Sequence, residues 1–243
     1  ITLTREVDVP EPFELIGQDT VVYCEGDNVM LSVNPSNFSM DITWFDESGA
    51  EIGSGIMIDY SAEGDEEILV VGIDTFGCVD SLRMFIDLFE FDLSKDNPGT
   101  LCEGDTIQLS VYNNSNDPLN YSWDPKDNII SALDESTITV VLVEDDDYVV
   151  TVTSADHGCE EVVTLTVLVS SVNIEIQSDT TEIVLTKSAE LTVVGDFDEN
   201  ATILWSTGEG TESITVSPEV TTIYCVTVTD EFGCFDEDCF ELT

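Results

Sequence analysis

The chain is 243 residues long and sets 52 acidic residues against five basic ones, a formal charge of −47, with 42% hydrophobic content. That charge excludes partners recognised through lysine and arginine clusters, so neither nucleic acid nor an anionic membrane surface is expected. No apolar run reaches the roughly 18 residues of a membrane span, which argues against insertion into a bilayer.

One pattern is written three times along the chain: a polar turn, a valine-rich run, a single tryptophan and a strand ending in Gly-Cys. Its markers are Trp44, Trp123 and Trp205, spaced by 79 and 82 residues, and Gly77-Cys78, Gly158-Cys159 and Gly233-Cys234, spaced by 81 and 75. Solenoid repeats are shorter, roughly 20 to 50 residues, whereas a unit of this length can bury its own core. Three domains are therefore expected, over residues 1–90, 91–171 and 172–243. The start, Ile1-Thr2-Leu3-Thr4-Arg5, has neither an initiator Met nor a signal-peptide pattern and reads as the interior of a longer polypeptide.

In the first copy, Cys24-Glu25-Gly26-Asp27 precedes the expected strand B, and Ile68 stands where the other copies carry an F-strand Tyr. The second copy shows the strands most plainly. After Cys102-Glu103-Gly104-Asp105, Thr106–Val111 alternates polar and apolar residues, as a strand with one buried face does. Asn113–Pro118 is turn chemistry, and Tyr121-Ser122-Trp123 places an aromatic in mid-strand, as in strand C of an immunoglobulin-like sandwich. Ile138–Leu142 and Tyr148–Thr153 read as strands E and F around an acidic turn at Glu144–Asp147, and Cys159–Val167 as strand G. The third copy repeats the series with Trp205, Ser213–Val216 and Tyr224–Cys234. No stretch carries the 3.6-residue period of an amphipathic helix, so the fold class is all-β: three tandem immunoglobulin-like/PKD-like β-sandwich domains.

The Tyr224–Cys234 series, with the Cys-Glu-Gly-Asp turns of the first two copies, resembles the immunoglobulin-like and PKD-like repeats of very large secreted surface adhesins of the Bacteroidota, including gliding adhesins exported by the type IX system. That resemblance implies an extracellular, cell-surface stalk or adhesin segment, with no enzyme activity and no fixed ligand. Its partners would be neighbouring domains of the same long chain. Two other readings stand beside this one. The chain could be a segment of an ordered extracellular filament packed against further copies, or a module contacting a glycan or protein through loop ends bearing Asn116, Asp117 and Phe232. The same resemblance brings Asp-Thr/Ser-aliphatic triplets, such as Asp80-Ser81-Leu82, into view as O-glycosylation signals.

Seven cysteines without zinc-type spacing, beside a single histidine, point to disulfides and an oxidising compartment. Two pairings are open. Cys24 with Cys78 and Cys102 with Cys159 would close loops within a domain. Strand order argues otherwise, since the Cys-Glu-Gly-Asp turn and the Gly-Cys turn fall at opposite ends of a sandwich, some 20 Å or more apart. Inter-domain staples, Cys24–Cys159 and Cys102–Cys234, avoid that distance, leave Cys78 for a preceding domain, and fit the replacement of the turn in the third copy by Leu185-Thr186-Lys187-Ser188. Cys225 and Cys239 alternate with inward residues on neighbouring strands, which suits a cross-strand disulfide within the third domain.

Catalytic motifs are missing: there is no P-loop, GxGxxG, GxSxG or HExxH, and His157 sits in a turn. No cofactor is expected. Calcium wants several oxygen ligands, and the turns with Asp145, Asp146 and Asp147, with Glu25 and Asp27, and with Glu103 and Asp105 could offer them. Asp196–Asn200 opens like an EF-hand loop, but Ala201 stands where the loop needs Gly.

Overall fold

The computed structural model describes residues 14–36, 40–124, 127–182 and 187–243. Every regular element among the described residues is a β-strand, and no helix is long and apolar enough to cross a membrane. Pairing sorts the strands into six sheets, two to each of three successive immunoglobulin-like sandwiches. By compactness the chain divides into two units, described in turn.

The first unit comprises Ile1–Asp92 with two short pieces, Ser115–Leu119 and Thr153–Glu161. Its sandwich is built from β1 (Leu15–Gly17), β2 (Thr20–Cys24), β3 (Val29–Pro35), β4 (Met40–Phe45), β5 (Glu51–Ser54), β6 (Met57–Tyr60), β7 (Glu66–Asp74) and β8 (Val79–Phe89). One sheet runs β1-β3-β6 and the other β2-β8-β7-β4-β5. In β3, Val29, Leu31 and Val33 are buried while the residues between them face water, the period of two that a half-buried strand requires. These valines and leucines meet Ile42, Trp44, Ile68, Val70, Met84 and Ile86 from the facing sheet. Strand β2 lies parallel to β8 with Cys24 opposite Phe89, and the Leu15 N–H at the start of β1 donates to the Asp80 carboxylate at 2.8 Å.

The second unit comprises Leu93–Asn114, Asn120–Val152 and Val162–Thr243. The second sandwich has β9 (Leu93–Lys95), β10 (Thr100–Cys102), β11 (Thr106–Asn113), β12 (Leu119–Asp124), β13 (Thr137–Val141), β14 (Asp146–Ser154) and β15 (Glu160–Ser170). Its sheets run β13-β11-β9 and β10-β15-β14-β12, and β10 lies parallel to β15 with Cys102 opposite Ser170. The acidic turn expected at Glu144–Asp147 is shorter than its sequence suggests, because β14 already begins at Asp146; the Thr166 hydroxyl on β15 donates to Asp147 there at 2.6 Å.

The third sandwich, also in the second unit, has β16 (Asn173–Ser178), β17 (Ala189–Asp196), β18 (Thr202–Trp205), β19 (Ser213–Val216), β20 (Thr222–Thr229) and β21 (Phe235–Leu242). Its sheets run β16-β17-β19 and β18-β20-β21. Asp236 and Asp238 on β21 accept hydrogen bonds from the Ile174 and Ile176 N–H groups of β16, at 2.9 and 2.6 Å. Side-chain carboxylates thus tie the first strand to the last, and an N–H satisfied in this way escapes the cost of burial without a partner. Of the Leu185–Ser188 segment, residues 185 and 186 lie outside the described residues.

The three tryptophans hold one position in each sandwich. Trp44, Trp123 and Trp205 are 0, 1 and 1% exposed. Each Nε1–H donates to a backbone carbonyl further along: Gly55 at 2.7 Å, Glu135 at 2.8 Å and Thr211 at 2.8 Å. The ring fills the core while its single donor fixes the chain leaving strand C. Replacing Trp123 by Phe keeps an aromatic but orphans the Glu135 carbonyl, and is expected to cost about 1–3 kcal/mol. Trp123→Ala also opens a cavity and is expected to cost about 3–5 kcal/mol; denaturant unfolding of both variants, read by circular dichroism, measures the difference.

Candidate functional site

The chemistry of this chain gathers at the turns that carry its cysteines. Between the parallel strand and the next strand, Cys24-Glu25-Gly26-Asp27 closes with Asp27 N donating to Cys24 O at 3.1 Å, and Cys102-Glu103-Gly104-Asp105 with Asp105 N donating to Cys102 O at 3.2 Å. The third residue is Gly26 or Gly104, at φ of 83° and 84°, the value a type II turn demands there and a side chain resists.

At the hairpin between the last two strands, Asp74 and Asp230 act alike. Asp74 Oδ1 accepts from the Phe76 and Cys78 N–H groups, both at 2.8 Å. Asp230 Oδ1 accepts from Phe232 and Cys234 at 2.9 and 2.8 Å. In the second sandwich Ser154 holds the place of these aspartates, its Oγ accepting from His157 N at 3.2 Å. Glycines 77, 158 and 233 just before the cysteines sit at φ of 83°, 75° and 91°, the left-handed residue that closes the three-residue loops 75–77 and 231–233 and the four-residue loop 155–158 before the returning strand.

Cys24 is bonded to Cys159 and Cys102 to Cys234, each with 5.3 Å between Cα atoms. The first of these bonds lies within the first unit and the second within the second. The intra-domain alternatives, Cys24–Cys78 and Cys102–Cys159, are not formed. Cys24 stands beside Phe89 at the far end of β8, while Cys78 immediately precedes the near end of that strand at Val79. Ten residue steps of strand separate them by about 33 Å, against the 7 Å limit between disulfide Cα atoms. The same distance along β15 separates Cys102, beside Ser170, from Cys159. Cys78 is a free, exposed thiol. Cys225 and Cys239 face each other across β20 and β21 and are bonded, with Cα atoms 4.0 Å apart.

The surroundings of the two long-range bonds differ. Around Cys24–Cys159 lie Leu88, Phe89 and Phe91 with Glu25, Glu90, Glu160 and Glu161. Phe89 meets Phe91 edge-on at 5.0 Å and the His157 ring at 5.1 Å. Around Cys102–Cys234 the contacts are polar: Glu103 N donates to Ser170 O at 2.9 Å, and Ser170 Oγ donates to Asp230 Oδ2 at 2.6 Å. Burial would raise the Asp230 carboxyl, but the hydrogen bonds from Ser170 and from the N–H groups of Cys234, Phe232 and Gly233 outweigh it and hold the group below the usual carboxylate range.

Of the calcium candidates, the three consecutive aspartates each accept a hydrogen bond. Asp145 Oδ1 accepts from Val169 N at 2.6 Å, Asp147 from Thr166, and Asp146 from Asp147 N at 2.9 Å. Glu25, Asp27, Glu103 and Asp105 are exposed on their turns. Among the described residues, the group of three metal-ligating side chains with ligand atoms within 4.8 Å of one another is Cys225, Glu237 and Cys239, and its two sulfurs are bonded to each other. Of the loop-end candidates, Asn116 is exposed and Asp117 half-buried in the turn before β12, while Phe232 is 50% exposed beside the Cys234 linkage.

Sequence reading missed the aspartate caps, although Asp74-Thr75-Phe76-Gly77-Cys78 and Asp230-Glu231-Phe232-Gly233-Cys234 repeat them in plain view. It also missed the Ser170–Asp230 contact, which joins residues 60 apart and has no local signature.

No protein-family model matches the chain, and no curated protein matches it in sequence. Among solved structures, a three-domain I-band fragment of titin is 12% identical, covering 97% of this chain and 99% of its own, with a TM-score of 0.46. Three N-terminal domains of the highly immunogenic outer capsid protein of bacteriophage RB49 are 13% identical over 96% of this chain and 98% of theirs, with a TM-score of 0.43. Extracellular domains 3–5 of Drosophila OTK are 10% identical over 97% and 98%, with a TM-score of 0.32.

Two outcomes follow from the geometry. Cys159 and Cys234 are each 3% exposed, and a thiol must reach a disulfide sulfur to attack it. Under graded dithiothreitol, Cys225–Cys239, whose Cys239 is exposed, is expected to open before both long-range bonds, as read by stepwise alkylation and mass spectrometry. The depressed Asp230 carboxyl contributes stability that is present above its unfolded value of about 4 and is lost as pH falls through its folded value. Asp230→Asn is therefore expected to lower the melting temperature at pH 7, with the gap to the parent chain closing as the medium is acidified below about pH 4.

Proposed function

We propose that this chain is a non-catalytic stalk segment of a large extracellular surface adhesin of the Bacteroidota kind, and that its work is to carry tension and hold spacing. The observation that carries this reading is that its two long-range disulfides overlap. One spans residues 24 to 159 and the other 102 to 234, so the shortest covalent route from Cys24 to Cys234 crosses both bonds and the 57 residues between Cys102 and Cys159. Without the bonds that route is the full 210 residues between positions 24 and 234.

Three further observations support it. Three disulfides suit an oxidising compartment outside the cell. A charge of −47 keeps long chains from adhering to one another. Of the two loop ends that would carry a ligand-binding surface, the hairpin bearing Phe232 is tied down through Cys234.

Single-molecule stretching tests this directly. A fully extended chain spans at most about 3.6 Å per residue, so the oxidised segment between residues 24 and 234 is expected to lengthen to about 200 Å and the reduced segment to about 750 Å. Cys24→Ser with Cys102→Ser should match the reduced chain. Equal extension of the oxidised and reduced chains would sink the reading.

A further inference from the structure

Cys78 occupies a position whose two counterparts are both joined to another sandwich's turn, and resting on the stalk reading, we propose that it is the acceptor of a third such joint. Its partner is a cysteine in a Cys-Glu-Gly-Asp type turn of a further immunoglobulin-like domain outside residues 1–243. The chain carries its own two comparisons. Strands β7, β14 and β20 align residue for residue, with Ile68, Tyr148 and Tyr224 buried at one position and Val70, Val150 and Val226 at the next inward one. Asp74, Ser154 and Asp230 close the three strands, and Cys78, Cys159 and Cys234 follow them. The second and third of these cysteines each hold a turn cysteine, Cys24 and Cys102.

The seat at Cys78 is already built. Asp74 holds the Phe76 and Cys78 N–H groups as Asp230 holds those of Phe232 and Cys234, with the cysteine N–H at 2.8 Å in both. What differs is cover: Cys159 and Cys234 are buried, whereas Cys78 is exposed amid Phe76 at 75%, Val79 at 63% and Ile73 at 44% exposure. Apolar side chains clustered about a thiol, in so acidic a chain, mark a contact surface. A second copy of this chain does not fit the requirement, because its Cys24 and Cys102 are both engaged. Nor does the thiol suit a nucleophile. Loss of hydration, the Asp74 charge and a hydrogen bond to Asp74 all push it up from its ordinary value, which lowers its thiolate fraction at neutral pH. Joining it to the partner thiol forms one S–S bond and releases two protons and two electrons to a disulfide oxidant of the oxidising compartment, itself reduced to two thiols.

The test is peptide mapping of the protein taken from its native source, alkylated at harvest and digested without reduction. The expected result is a Cys78 peptide linked to a cysteine peptide from outside residues 1–243, with the Cys24–Cys159 and Cys102–Cys234 pairs in the same digest as internal standards. Reduction that leaves the denatured mass unchanged assigns the partner domain to the same polypeptide; a fall in mass assigns it to another chain, and both support the joint. Recovery of Cys78 alkylated, capped by glutathione or joined to a second Cys78 overturns it. The stretching experiment does not involve Cys78, so a free Cys78 with a short oxidised extension defeats this joint alone, while equal extensions defeat the stalk reading itself.

Discussion

The parallel pairing of a short strand onto the last strand of its sandwich decides where every other feature of this chain can go. Strand β2 runs alongside the distal half of β8, and β10 alongside the end of β15. Both therefore deliver their terminal cysteines to the end of the sandwich opposite its own Gly-Cys hairpin. Once that is so, closing a disulfide within a domain would require the sheet to fold back on itself over about 33 Å. The hairpin cysteine bonded to each such turn belongs to the following sandwich. Connectivity here is a consequence of strand direction, not of cysteine spacing.

A chain with five basic residues cannot neutralise 52 acids by ion pairing, and the fold makes use of carboxylates as acceptors instead. Arg83 pairs with Glu67, but most acids with a partner hold an N–H or O–H group. Asp80 receives Leu15 N, Asp65 receives Leu88 N at 2.8 Å, and Asp96 receives Ser110 N and the Tyr112 hydroxyl at 2.8 and 2.9 Å. Three such bonds join facing sheets: Leu15 N on β1 to Asp80 on β8, and Ile174 N and Ile176 N on β16 to Asp236 and Asp238 on β21. A carboxylate presents two oxygens and reaches across that gap, and a hydrogen bond to an ionised acceptor is stronger than a neutral one. Acidity at these positions is structural, while the acids on the Cys-Glu-Gly-Asp turns remain exposed to solvent.

What could be read from the sequence was what has a period or a bulky marker. Strands β11, β13, β14, β19 and β20 alternate over four or more residues, and the three tryptophans announce one buried site each. Of the strands that escaped, β1, β9 and β10 are three residues each, too brief to show alternation, and β5 contains Gly53, whereas the longer β3, β8 and β17 do alternate and still went unread. Of these, β10 matters most to the site, since its register on β15 separates the two cysteine pairings that spacing alone leaves open. The acidic run at 144–147 misled for a related reason. Composition marked it as a turn, yet a hydroxyl on the neighbouring strand lets Asp146 and Asp147 join β14.

Overlap between disulfide loops has a mechanical meaning that tandem loops lack. Had each sandwich closed its own bond, residues 78 to 102 would be a bare link through which all tension passed. With the bonds as they are, that stretch lies inside the loop closed by Cys24–Cys159, and residues 159 to 234 lie inside the loop closed by Cys102–Cys234. Each link between sandwiches is bypassed by a covalent route. In the chain-entropy account a loop of 135 or 132 residues constrains the unfolded chain by about 5 kcal/mol, against about 3 kcal/mol for a loop the size of Cys225–Cys239. That gain of about 2 kcal/mol per bond is modest beside the change in what a pulling force meets. Even with every strand unzipped, the backbone between Cys24 and Cys234 remains a closed mesh, and the strands within it stay close enough to pair again when the force is removed.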